Sequence, residues 1–151
     1  MFELIVELDS EQLKLGIHKY IYGDITIVGQ YGSVSSKQYK TVKSSMLFIS
    51  ITELLDGVRS LVLNNEKQYD YLSIGSGFTF HIIRKKNHFI ITDVQNKLIA
   101  KSTSKELIQS IWNPVNKFIT KYRPYLEEGA GVTIGLDDSV KDFQTQLAEY
   151  L

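Results

Sequence analysis

Three histidines, His18, His81 and His88, are the first residues to weigh for chemistry, because imidazole titrates near neutral pH and binds metals. No two of them have the i, i+4 spacing that sets a ligand pair on one helical face. The chain has no cysteine, which excludes a thiolate metal centre and a disulfide framework. Gly75-Ser76-Gly77 invites a nucleophile reading, but a nucleophile elbow needs Gly-x-Ser-x-Gly, and Ile74 and Phe78 stand at the outer positions. A phosphate cradle needs a helix behind its glycines, whereas a strand pattern follows Gly77. In Gly129-Ala130-Gly131-Val132-Thr133-Ile134-Gly135 the third glycine comes one position late for the dinucleotide fingerprint, and no strand precedes it. A flexible connector is the expectation there. Asp137, Asp138, Ser139 and Asp142 are expected to cap and charge the first turn of a last helix. Neither a metal nor a cofactor is expected.

The elements that must position these residues follow from periodicity. Phe2, Leu4, Val6 and Leu8 alternate with Glu3, Ile5 and Glu7, the period of a half-buried strand. A second strand is expected over 20–29, a loop over 29–37 and a short edge strand over 39–43, where Lys40 and Lys43 suit an unpaired edge. Ser50 and Glu53 have capping-box spacing, and Ile49 and Leu54 have staple spacing, so a helix is expected to start at Ser50 and run to Asn64-Asn65. Gly57 inside it costs about 1 kcal/mol relative to Ala, which points to a close crossing over a sheet.

Segments 69–74, 78–84, 89–94 and 97–100 read as a meander. Turns fall at Gly75-Ser76-Gly77, at Lys85 to His88 and at Gln95-Asn96. A turn centred between Lys86 and Asn87 sets Arg84 opposite Phe89 and Ile82 opposite Ile91. The next turn sets Asp93 opposite Leu98. One face then carries Phe78, Phe80, Ile82, Phe89, Ile91, Leu98 and Ala100, the expected core. The other carries Thr79, His81, Ile83, Ile90, Thr92, Val94 and Ile99, too apolar for plain solvent surface and too polar for plain core. Thr103 and Glu106 form a second capping box ahead of a stripe from Leu107 to Tyr122 that keeps its phase across Pro114, favouring one bent helix. Both capped helices are expected on the Phe78, Phe80 and Phe89 face. Val140, Phe143, Leu147 and Tyr150 mark a last amphipathic helix. Strands bunched together, with helices between and after them, indicate an α+β fold with an antiparallel meander sheet.

The chain has 151 residues, with 17 basic against 17 acidic, 43% hydrophobic and 23% charged, which suits one globular domain over 1–151. Zero formal charge argues against a nucleic-acid or anionic-membrane footprint. No stretch approaches the roughly 20 apolar residues of a spanning helix, and two carboxylates interrupt the N-terminal apolar run, unlike a signal peptide. A cytoplasmic location is the expectation.

The segment ISITELLDGVRSL, followed by YDYLSIGSGFTFHIIRKKNHFIIT, resembles small uncharacterised bacterial proteins of the toxin-immunity type, which bind and block a partner toxin. The resemblance implies a protein partner and gives no single residue a role. The residues themselves lead to two classes of function. One is a non-enzymatic interaction module whose partner is a toxin or a second copy, engaged through His81, Ile83, Ile90 and Thr92 and the adjoining Arg84, Lys85 and Lys86. The alternative is a small-ligand-binding protein or enzyme with a pocket near His81. A flat mixed patch favours the first and a deep cleft the second.

Overall fold

Alternation of apolar and charged residues makes Phe2–Leu8 a strand, β1, with Phe2 and Leu4 buried and Glu3 and Glu7 exposed. The computed structural model describes residues 1–9, 21–38 and 45–151. His18 and the edge strand expected over 39–43 lie outside the described residues. β1 pairs antiparallel with β2 (Tyr22–Gly29), Leu4 opposite Ile27 and Val6 opposite Ile25. The chain then turns through Gln30-Tyr31 into β3 (Gly32–Ser35), which pairs with β2 and buries Val34. This strand lies where a loop was expected over 29–37. Its serines suggested a loop, but they are bonded within the hairpin: the Ser35 and Thr26 hydroxyls stand 2.7 Å apart, and Ser36 Oγ accepts the Ile25 N–H. A two-residue strand, β4 (Ser45–Met46), joins β2 on the same side.

Helix α1 (Leu47–Leu63) starts directly from β4, three residues before the expected cap. Met46 stands at the N-cap without a side-chain bond, so the Ser50–Glu53 box does not form. Ser50 is buried in the second turn, and its Oγ accepts the N–H of Ile74. Ile51, Leu54, Leu55, Val58 and Leu61 form the buried stripe, and Asn65 ends the element in the left-handed region at φ 52°. Gly57 lies under the ring of Tyr69, where a Cβ would overlap the aromatic carbons. The Tyr69 hydroxyl donates to the Glu53 carbonyl, and burial pushes its pKa well above the ordinary value. The close crossing implied by Gly57 is therefore one strand meeting one helix.

Strands β5 (Gln68–Leu72), β6 (Thr79–Arg84), β7 (Phe89–Thr92) and β8 (Leu98–Ser102) form the second sheet in sequential antiparallel order. Arg84 opposes Phe89 and Ile82 opposes Ile91, as the turn at Lys86-Asn87 requires. The last pair departs from expectation. Ile91 opposes Ala100 but Thr92 opposes Leu98, so Ile99 is the extra residue of a bulge. Ile99 is accordingly buried, not on the outer face, and Leu98 is only half-buried. Phe78, Phe80, Ile82, Phe89, Ile91 and Ala100 are buried as expected. α1 covers this face through β5, and Tyr71 stacks on Phe80 at 4.7 Å.

Helix α2 (Ser104–Tyr122) carries the full capping box: Thr103 accepts the Glu106 N–H while the Glu106 carboxylate accepts the Thr103 N–H. It runs unbroken through Pro114. Instead of lying on the phenylalanine face, it borders β1, and its Phe118 reaches α1, 5.8 Å from Phe48. The first sheet has an apolar side of its own to bury, and α2 covers it. Helix α3 (Gly131–Gln146) replaces the expected connector, since burial of Leu136 and Phe143 outweighs the propensity cost of Gly131 and Gly135. Its start six residues early removes the capping role from the acidic group. Asp137 instead accepts two bonds from Arg123, Asp142 pairs with Arg59 at 2.9 Å, and Ser139 donates to Asp56 at 2.7 Å. Trp112 stacks on Phe143, joining α2 to α3.

The described residues form an α+β fold of two antiparallel sheets and three α-helices around one contiguous apolar cluster. The sheets meet at the β2–β3 hairpin. The Tyr31 N–H donates to the Ile99 carbonyl at 3.0 Å, and the Gln30 side chain bonds both backbone groups of Lys101. Among the described residues, no helix is long and apolar enough to cross a membrane.

Candidate interaction surface

The outer face of the second sheet is built in cross-strand rows. Asp70, His81 and Thr92 lie opposite one another on β5, β6 and β7, and Gln68, Ile83 and Ile90 form the next row. Leu72 opposes Thr79 at the other end. Ile83 and Ile90 are half-buried, whereas Leu72 and Val94 are 52% and 48% exposed. The face therefore carries aliphatic side chains with a polar row across it.

That polar row is internally bonded. His81 Nδ1 stands 2.6 Å from Asp70 Oδ1, which also accepts from Gln68 Nε2 at 2.6 Å. The Gln68 bond, more than the His81 one, holds the Asp70 carboxyl below its ordinary range against the opposing cost of desolvation. Thr92 is 4% exposed, and its hydroxyl is buried without a hydrogen-bond partner. An acid, an imidazole and a hydroxyl in a row suggest a catalytic relay. A nucleophile must reach its substrate, however, and this oxygen is closed off from solvent.

The three cations divide. Arg84 donates from Nε to the Glu66 carbonyl and from its guanidinium to the Leu61 carbonyl, and it lies 4.8 Å over the Phe89 ring. It fastens the end of α1 to the sheet. Lys85 and Lys86 are exposed at the hairpin tip, where the Lys85 N–H donates to the His88 carbonyl. His88 borders a shallow cavity of about 240 Å³ with Lys101, Ser102 and Glu106, remote from His81. Among the described residues, no three His, Asp or Glu side chains converge as metal ligands.

His81, Ile83, Ile90 and Thr92 thus share one face, Lys85 and Lys86 stand at its end, and Arg84 is turned inward. Gln68, Asp70 and Leu72 on β5 escaped sequence reasoning. Six residues separate β5 from β6, so no turn type fixed their register, unlike the short turn before β7. Comparison with protein-family models, with curated proteins and with solved structures finds no match to this chain.

Proposed function

We propose that this chain is a non-enzymatic protein-binding module that engages its partner through the outer face of β5–β8. The observation that carries this reading is the pairing of Ile83 with Ile90, both half-exposed, with exposed Leu72 on the same face beyond the Asp70–His81 row. Aliphatic positions on either side of a polar row give the mixed apolar and polar composition of an interface. The bonded Asp70–His81 row fixes polar side chains in place, which lowers the ordering cost of association. Lys85 and Lys86 add a cationic end that favours an acidic patch on the partner. A partner-blocking inhibitor, as the resemblance to immunity proteins implies, is the specific form of this module.

The double change Ile83→Ser with Ile90→Ser tests the reading. Both side chains are part-exposed, so stability should fall by about 1 kcal/mol or less, while self-association or capture of a partner on the immobilised chain is lost. Loss of several kcal/mol in urea unfolding, with association unchanged, would assign the face to the core and overturn the proposal.

A further inference from the structure

A second surface, on the opposite sheet, has the features of a peptide-binding groove. Among the described residues, β1 ends its sheet and pairs with β2 alone. Its backbone groups alternate in direction, as antiparallel pairing demands. Asp9 donates to the Tyr22 carbonyl, which places the odd-numbered residues of β1 in bonds to β2. Ile25, opposite Val6, turns its N–H away to Ser36. The N–H and C=O of Leu4 and Val6 consequently face the open side, where nothing among the described residues bonds them.

Two adjoining cavities of about 270 and 290 Å³ run along that side, between β1 and α2. Glu3, Leu4, Ile5 and Val6 all border the second one. Side chains of an extended strand alternate between faces, so four successive residues share a cavity only where the strand's edge forms its wall. The helical wall carries Pro114, which has no N–H to give the carbonyl of Ser110 in the same groove. It also carries Lys117 and Lys121, one turn apart, exposed and without an ion-pair partner among the described residues. Among the described residues, Glu3 is the one carboxylate bordering the two cavities, so the two lysines exceed it by one charge, and Glu7 further along the strand is neutralised by Lys37 at 2.6 Å.

We infer that the groove between β1 and α2 binds an extended acidic peptide segment of a partner protein, added as a further strand on β1 with its carboxylates on Lys117 and Lys121. Main-chain bonds to Leu4 and Val6 supply affinity, and the lysine pair selects for charge. This site is independent of the outer face of β5–β8.

A displayed library of random decapeptides, panned on the intact chain, tests the inference. Recovered binders should be rich in Asp or Glu and in β-branched residues. A synthetic copy should slow hydrogen exchange at the Leu4 and Val6 amides and leave the Ile83 and Ile90 amides unchanged. Lys117→Glu with Lys121→Glu, both on the surface, should weaken binding at least tenfold, and N-methylation of alternate peptide amides should abolish it. Recovery of no binders, of binders indifferent to the lysine reversal, or of binders that leave the Leu4 and Val6 amides unprotected would overturn it. So would concentration-dependent protection of those amides without peptide, which would give the edge to a second copy of the chain.

Discussion

Gly57 and Tyr69 form the most demanding contact between single residues. Replacing a helical glycine with alanine ordinarily gains about 1 kcal/mol. Here the added Cβ would overlap the Tyr69 ring, which is held by packing and by its bond to the Glu53 carbonyl. Gly57→Ala should therefore destabilise the chain, by about 1–3 kcal/mol, as overpacking does. In a Tyr69→Ala background the same change should become neutral or stabilising, and urea unfolding of the four members of the cycle reads the reversal of sign. Equal effects in both backgrounds would mean the ring is not the obstacle. A glycine within an otherwise regular helical stripe was legible as a crossing point. The residue that crosses it was not, because contact between α1 and β5 depends on tertiary packing and no local periodicity encodes it.

Two identical capping signatures have different fates at the scale of elements, and the difference lies in what precedes each. Ahead of Thr103 the chain leaves β8 in extended conformation, so the hydroxyl is free to take the Glu106 N–H. Ahead of Ser50 the chain passes straight from β4 into the helix, with Leu47 bonded to the Ile21 carbonyl, so helical turns form before Ser50 is reached. Thr103→Ala should cost about 1 kcal/mol and speed exchange at the Glu106 amide. Ser50→Ala should leave the first turn of α1 intact and speed exchange at Ile74, the amide that loses its acceptor, costing about 1–3 kcal/mol. Faster exchange throughout the first turn of α1 in that variant would restore Ser50 to a capping role. The strand pattern, the β6–β7 register and the face carrying His81, Ile83 and Ile90 were all readable from alternation. The bulge at Ile99 and strand β3 were not, since a one-residue slip and a serine-bonded hairpin leave no mark on periodicity.

At the scale of the whole molecule, the question is what makes two sheets one structure. The apolar cluster runs through both, but their backbones meet at the β2–β3 hairpin and β8. Gly29 stands at that junction. A Cβ there would overlap the Ile99 carbonyl oxygen and crowd Ala100, and a strand backbone cannot swing aside as a side chain can. Relief requires the hairpin to lift from β8, which breaks the Tyr31 bond and both Gln30 bonds to Lys101 and opens the cover over Ile99. Gly29→Ala should thus destabilise by roughly 3 kcal/mol, more than a strand glycine ordinarily explains. Because the cluster is continuous, the loss should fall on the molecule as a unit. Trp112 fluorescence reports the α2–α3 contact and far-ultraviolet circular dichroism reports the secondary structure as a whole, so in the variant the two unfolding curves should shift together and remain coincident. Separation of the curves, with ellipticity lost ahead of the Trp112 signal, would show that the hairpin contact, and not the shared core, couples the two halves.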